Sequence, residues 1–151
     1  MLSKKLVSRF VFAATATALI TTLATAGPIE DRQAAMKSNG KAIGALVAIM
    51  KGEAAYDAGV VKTNTDILLS DFGVLMKSVP EGSDKGAVET WAKPEIWSDM
   101  EGFKKVGSDA VAAVTALGAT TDEAGFKAAF PAVGEACKNC HEKFRRPKPK
   151  E

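Results

Sequence analysis

Residues 121–144 read TDEAGFKAAFPAVGEACKNCHEKF, and their apolar positions recur every three or four residues. The apolar stripe consists of Phe126, Phe130, Val133, Cys137, Cys140 and Phe144. This spacing is typical of one face of an α-helix, whereas a half-buried strand alternates apolar and polar residues. The stretch therefore predicts a helix that begins near Thr121 and Asp122 and ends before Pro147.

Three earlier segments show the same spacing, and no segment alternates in the manner of a strand. They span about Ile29 to Lys51, about Asp57 to Val79, and a segment that opens at Lys93-Pro94 and stops at Gly118. The apolar stripe of the first segment is Met36, Gly40, Ile43, Val47 and Met50. That of the second is Val61, Thr65, Leu68, Phe72, Leu75 and Val79. That of the third is Ile96, Met100, Phe103, Gly107, Ala110, Val114 and Leu117. Four helices of similar length predict an all-α fold, an antiparallel up-down-up-down four-helix bundle.

The first 26 residues have the features of a secretory signal peptide. MLSKKLVSR is basic, the apolar segment FVFAATATALITTLATA follows, and Ala24-Thr25-Ala26 has the small-x-small pattern of a cleavage site. The apolar segment is shorter than the roughly 20 residues that a membrane span needs. We therefore expect residues 1–26 to be cleaved, residues 27–151 to form a single exported domain, and no stable membrane insertion after cleavage.

The charge of the exported part is close to neutral. The whole sequence has 20 basic and 18 acidic residues, and the first 26 residues hold three basic and no acidic ones, which leaves 17 minus 18, or −1. This balance argues against nucleic acid as a partner. Basic residues do gather in the tail, residues 143–150, which predicts either a solvated terminus or a docking patch for an acidic partner.

Residues 137–141 read CKNCH and contain both cysteines and the only histidine of the chain. A disulfide between Cys137 and Cys140 would close too short a loop to add much stability. A thioredoxin-type redox pair needs a β-α-β setting, and a structural zinc site needs four ligands. Covalent haem attachment uses all three side chains, because two thiols one turn apart add to the two vinyl groups and His141 becomes the proximal axial ligand of the iron. The motif therefore predicts one covalently attached haem c.

With this motif near its C-terminus, the chain resembles the class II c-type cytochromes, the cytochrome c′ family. The resemblance rests on GEACKNCHEKFR at residues 134–145, on KGEAAYD after the first helix, on KPEIWSD at the opening of the third, and on the spacing of Arg32, Met36, Lys37 and Gly40. It implies a four-helix bundle with one haem, redox partner proteins and, in many members, a homodimer. Together with the predicted export, it implies the bacterial periplasm.

The function depends on the group that faces the iron opposite His141. In an antiparallel bundle the early part of the first helix lies level with the late part of the last, so Met36 is at the height of His141. A thioether there would fill the sixth position and raise the reduction potential, whereas the alternative is a methionine that packs in the distal wall. The resemblance leaves both open, since its low-spin members use such a methionine and others keep an open site.

We expect Met36 to be the distal axial ligand. Met50 and Met76 are expected near the other end of the bundle or off the stripe, and Met100 in packing. Arg32 lies four residues before Met36 and so on the same helical face. We expect Arg32 to contact a haem propionate through a charge-assisted hydrogen bond, or to form an exposed salt bridge.

These features predict a periplasmic one-electron carrier that exchanges electrons with redox partner proteins. The alternative is a five-coordinate, high-spin cytochrome c′ that binds nitric oxide or carbon monoxide at the open face of the haem. An enzyme is not expected, because no second histidine or carboxylate cluster supplies a general acid or base.

Overall fold

The computed structural model describes residues 27–147, so the predicted signal peptide lies outside the described residues. The described part forms five α-helices: α1 (Pro28–Met50), α2 (Ala58–Lys77), α3 (Glu95–Ser98), α4 (Met100–Gly118) and α5 (Glu123–Phe144). The four long helices form an antiparallel bundle, and α3 is a single turn before α4. The predicted all-α four-helix bundle is confirmed. None of the helices within residues 27–147 has the length and apolar character that crossing a membrane would require.

Three of the long helices begin at an aspartate whose side chain accepts a hydrogen bond from the first turn. The pairs are Asp57 with Val60 N at 2.8 Å, Asp99 with Gly102 N at 2.9 Å, and Asp122 with Gly125 N at 2.7 Å. Each bond satisfies one of the N–H groups that a helix start leaves without a partner. The fourth, α1, has Pro28 at its first position, where the missing N–H costs nothing.

The third predicted helix is divided in two, so its prediction as one continuous helix was wrong. α3 ends at Ser98, and Asp99 takes a non-helical conformation with φ −130° and ψ 58°. In that conformation the Asp99 carboxylate caps α4 and lies 2.6 Å from Lys143 Nζ. The chain breaks here because a short polar side chain offers the backbone an alternative to helical hydrogen bonds.

The bundle packs around a core in which α1 contacts α2, α2 contacts α4 and α4 contacts α5, whereas α1 and α5 touch at few positions. The stripe predicted for α2 is buried throughout, and so is that of α4 apart from Met100, which is partly buried. The side chains that are almost fully enclosed are Leu46, Ile49, Val61, Thr65, Leu68, Val114, Leu117, Phe126 and Val133.

The stripe predicted for α1 is displaced by one residue from the row that is most buried. The buried row is Ala35, Asn39, Ala42, Leu46 and Ile49. α1 has mainly apolar side chains in two adjacent rows. The row that begins at Ala35 packs in the core of the bundle. Met36, Gly40 and Ile43 of the predicted row border a cavity instead, and Asn39 of the buried row borders it as well.

Candidate haem site

A cavity of about 640 Å³ lies between α1 and α5 and accounts for the sparse contact between these helices. Apolar side chains of α2 and α4, among them Phe72 and Phe103, form its inner wall. The link between α2 and α3 borders it with Trp91 and Ala92. Its volume is within the range of about 300–1,000 Å³ that is common for small-molecule and cofactor sites.

All three potential haem-attaching side chains of the CKNCH motif line this cavity from α5. Cys137 and Cys140 are partly buried thiols that are not joined as a disulfide, whereas Lys138 and Asn139 between them are exposed. Residues three and four apart on a helix share one face, so Cys137, Cys140 and His141 can act together on one bound group.

The electrostatics of these three groups favour uncharged side chains. Burial raises the pKa of both thiols, that of Cys140 to about 11, with the neighbouring Cys137 adding to the increase. His141 is exposed along the cavity, yet partial desolvation lowers its pKa, and the positive charge of Arg145 lowers it further. At neutral pH the imidazole is therefore neutral, which is the form that binds a metal.

The residues after the motif fold back over the cavity. Lys93 N donates to Phe144 O at 2.9 Å, and Arg146 N donates to Trp91 O at 2.7 Å. The Arg145 guanidinium lies 5.1 Å from the centre of the Trp91 ring, and both side chains line the cavity. The described part of the tail is therefore attached to the link and not frayed, although Lys143 and Arg146 are exposed to solvent as a solvated terminus predicts. Arg145 follows His141 by four residues, and this spacing was the sign in the sequence that Arg145 could line the same site.

Two methionines line the cavity, and only one of them was predicted. Met36 lines it from α1, the helix on the opposite side from α5. Met76 lines it from α2 as a partly buried side chain, so it lies off the stripe as predicted, whereas its placement near the other end of the bundle was wrong. In an antiparallel bundle the end of α2 lies beside the start of α1, which brings Met76 to this level. The Met76 sulfur faces α4, since a Cβ added to Gly107 would lie 2.9 Å from it.

Arg32 borders the cavity and is only 5% exposed, so the alternative of an exposed salt bridge was wrong. Its guanidinium donates to Ser78 O, to Ser83 Oγ at 3.2 Å and to Ser83 O at 2.7 Å, and it lies 5.4 Å from the centre of the Trp97 ring. These contacts attach α1 to the link between α2 and α3. The Arg32 Nε atom is enclosed without a hydrogen-bond partner among the described residues, and it remains a donor for an anionic group.

One further polar side chain of the cavity, Asn39, was missed by the sequence analysis. Asn39 is 8% exposed, and its Oδ1 atom has no hydrogen-bond partner among the described residues. It follows Met36 by three residues and Arg32 by seven, so all three share one face of α1. That spacing was visible in the sequence, but an asparagine on a helix is more often exposed than buried.

The side chains around the cavity fit a covalently held haem. A porphyrin is a flat apolar ring with two carboxylates at one edge, and the cavity combines apolar walls with the enclosed Arg32 Nε donor. Two thiols and a neutral imidazole stand on one side. Across residues 27–147, no group of three or more His, Cys, Asp and Glu side chains is arranged to hold a metal ion directly. Fold and site together define a helical-bundle c-type cytochrome.

Comparison with known proteins identifies the family. Residues 27–145 match the family model described as cytochrome c′. The chain is 36% identical to cytochrome c-556 of Agrobacterium fabrum over 124 residues, which cover 80% of this chain and 82% of the relative. It is 38% identical to the crystal structure of cytochrome c′ from Rubrivivax gelatinosus, with a TM-score of 0.73 over 79% of this chain and 94% of that one. The nitric oxide complex of a cytochrome c′ variant from Alcaligenes xylosoxidans is 30% identical, with a TM-score of 0.71 over 81% and 98%.

The chain belongs to the cytochrome c′ family of class II c-type cytochromes. The cofactor of this family is one covalently attached haem c with its iron, so the predicted cofactor is confirmed. The haem-binding, electron-carrier type of function is likewise established at this level.

Proposed function

We propose that this protein is a one-electron carrier of the bacterial periplasm in which His141 and Met36 are the two axial ligands of the haem iron. Bound haem supplies a metal centre that alternates between the ferric and ferrous states. The chain attaches the ring through Cys137 and Cys140, surrounds it with apolar side chains, and holds an imidazole and a thioether in place in both states. Two permanent protein ligands keep reorganisation small when an electron arrives or leaves.

The observation that carries this proposal is the position of Met36 and His141 on opposite sides of one cavity. His141 lines the cavity from α5 and Met36 from α1, and these two helices are the ones that the cavity separates. Met76 is the other thioether of the cavity, but its sulfur packs against Gly107 of α4. A methionine opposite a histidine raises the reduction potential of a haem, which suits an electron carrier.

A second function is supported by a structural relative, the nitric oxide complex of the variant from Alcaligenes xylosoxidans. In this alternative Met36 packs in the distal wall, His141 is the single protein ligand, and nitric oxide or carbon monoxide binds at the open position. The partial burial of Met36 is compatible with either role. The two functions differ in the number of protein ligands on the iron, which a spectrum reports.

Arg32 is proposed to donate its Nε proton to a haem propionate. The two terminal nitrogens of the guanidinium donate to the link between α2 and α3, whereas the enclosed Nε makes no hydrogen bond to the described residues. The side chains that line the cavity include no carboxylate and no second histidine, the groups that most often act as general acid or base. We therefore assign the protein to electron carriage and not to catalysis.

The proposed partners are redox proteins of the periplasm and a second copy of this chain, without nucleic acid. Val60, Ile67 and Val74 are exposed apolar residues, each seven residues after the last, on the outer face of α2. Apolar residues at this spacing are typical of contacts between helices. We also propose that residues 1–26 direct export and are then cleaved. The released domain, residues 27–151, does not insert stably into the membrane.

The test compares absorption spectra of the exported holoprotein with those of Met36→Ala and of Met76→Ala. We expect a low-spin spectrum with a sulfur-to-iron charge-transfer band in the wild-type protein. Met36→Ala should abolish that band, produce a high-spin ferric haem and lower the reduction potential, because only His141 then remains as a protein ligand. Met76→Ala is the matched control, because it removes the other methionine side chain that lines the cavity. This variant should keep the low-spin spectrum.

Two results would contradict the electron-carrier proposal. A high-spin spectrum in the wild-type protein, with rapid binding of nitric oxide, favours the alternative function. A charge-transfer band that survives in Met36→Ala and disappears in Met76→Ala assigns the ligand to α2. The mass of the purified chain reports haem attachment separately, because covalent haem adds the mass of one porphyrin to the polypeptide.

A further inference from the structure

Asn39 is a buried polar side chain of the cavity that the proposed haem site does not use. It is 8% exposed and lines the cavity, and its Oδ1 atom is enclosed without a partner among the described residues. Buried amide oxygens in folded proteins nearly always accept a hydrogen bond. An enclosed amide that lacks one and borders a cavity indicates a contact with a group that enters the cavity.

The position of Asn39 along α1 limits which group this is. With a rise of about 1.5 Å per residue, Asn39 lies about 4.5 Å beyond Met36, and Arg32 lies about 6 Å before it. Arg32 is held by Ser78 and Ser83 of the link, and its charge pairs with the propionates. Asn39 lies on the other side of Met36, away from the link. With the sixth position of a bound haem at the level of Met36, as proposed above, Asn39 would lie one helical turn from that position, and Arg32 would be the side chain towards the link.

We infer that Asn39 sets the ligand preference at the sixth position, because an N–H of its carboxamide donates a hydrogen bond to the group that is bound there. The inference rests on the haem site proposed above, with the sixth position at the level of Met36, but it does not require Met36 itself to be the bound group. A carboxamide offers two N–H donors and one acceptor, and rotation about its last side-chain bond exchanges them. A thioether is a weak acceptor, whereas the outer oxygen of a bound diatomic molecule is a stronger one.

This arrangement would favour polar ligands at the iron. Polarity and hydrogen-bond donors on the distal side decide how a haem protein treats diatomic ligands. Most of the side chains that line the cavity are apolar, with Leu68 and Ala110 among them. A hydrogen bond in such surroundings is stronger than in water, so its removal should be measurable on the ligand itself.

The test uses the carbon monoxide complex of the reduced holoprotein in the Met36→Ala background, where the sixth position is open. Asn39→Leu is compared with Asn64→Leu, which makes the same change on α2 at a residue outside the cavity lining. We expect Asn39→Leu to raise the C–O stretching frequency, because an N–H donor at the ligand oxygen lowers it. The dissociation rate should rise roughly threefold to tenfold, as for the loss of one hydrogen bond. Asn64→Leu should change neither.

Leucine matches asparagine in size, so the shape of the wall is kept and the variant should fold. Asn39→Ala is a second variant that should shift the frequency in the same direction. The inference is overturned if holoprotein with covalent haem shows the same frequency and rate with and without Asn39, including the case in which only the thermal midpoint falls. A chain that carries no covalent haem would overturn the haem site as well, and the mass distinguishes that failure before carbon monoxide is added.

Discussion

At the scale of single residues, one carboxylate connects two helices beside the haem motif. Asp99 accepts from Gly102 N at 2.9 Å, which caps α4, and from Lys143 Nζ at 2.6 Å, which reaches it from α5. Lys143 lies two residues after His141 in the last turn of α5. The pair therefore holds the start of α4 against the end of the helix that carries the haem motif.

Asp99→Asn is expected to reduce the acid sensitivity of the protein. The hydrogen bond from Lys143 and then that from the Gly102 backbone lower the pKa of Asp99. A carboxyl with a lowered pKa stabilises the fold above its unfolded pKa of about 3.9, and this contribution is lost as the pH falls through the folded value. The free energy of unfolding should therefore fall more steeply below about pH 4 in the wild-type protein than in Asp99→Asn.

Urea unfolding of the holoprotein at a series of pH values, followed by circular dichroism, measures this difference. Lys143→Met removes the main cause of the pKa shift while it keeps the carboxylate, so it should also flatten the dependence. If the free energy of unfolding changed with pH in the same way in the wild-type protein and in Asp99→Asn, this carboxylate would have no part in acid stability. The pair is partly exposed, so the effect should shrink with added salt.

At the scale of the helices, glycine matters where two elements approach closely. α4 ends at Gly118 as predicted, but the next residue, Ala119, keeps a helical conformation with φ −86°. The backbone therefore does not need glycine to stop the helix. A Cβ at Gly118 would lie 2.7 Å from Thr65 Oγ1 of α2, and Thr65 is 1% exposed. Gly118 is required by the contact between α2 and α4.

Gly118→Ala is expected to lower the free energy of unfolding by about 1–3 kcal/mol, because a well-packed contact has no room for another methyl group. The matched control is Gly44→Ala in α1. Gly44 is exposed, and a Cβ there would meet no atom within 4 Å. That substitution should raise the free energy of unfolding by about 0.5–1 kcal/mol through helix propensity alone. Chemical denaturation measures both, and equal effects at the two sites would show that the close contact is unimportant.

At the scale of the whole molecule, the cavity interrupts the packing of the bundle. α1 reaches the rest of the protein mainly through α2, and α5 mainly through α4. The direct contact between α1 and α5 that would close the bundle is replaced by a space of about 640 Å³. A bound haem therefore completes the hydrophobic core as well as supplying the chemistry.

The double variant Cys137→Ala/Cys140→Ala, exported and purified without covalent haem, is expected to be strongly destabilised. Much smaller cavities left by removing one leucine side chain cost about 3–5 kcal/mol, a large part of a typical stability of about 5–15 kcal/mol. We expect retained helical circular dichroism, loss of a cooperative thermal transition and binding of a hydrophobic dye. A sharp transition at the midpoint of the holoprotein would show that the helices pack without the haem.

The local features of this protein could be predicted from its sequence. The period of the apolar stripes indicated four long helices, Asp57 and Asp122 lie where helices begin, and CKNCH indicated the cofactor. Each of these signals is contained within a few turns of chain. The resemblance to the cytochrome c′ family added the expectation of redox partner proteins and of a homodimer in many members.

Only the tertiary structure decided which side chains reach the cavity. Arg32 is bound by residues 46 and 51 positions away, and Arg146 by Thr90, 56 positions away. The break at Asp99, the row of α1 that faces the cavity, and the arrival of Met76 and Asn39 also depend on how distant helices pack. The amino-acid sequence by itself determined the helices and the haem motif, because these depend on neighbours along the chain. The site around the motif depends on contacts between segments that are brought together only by folding.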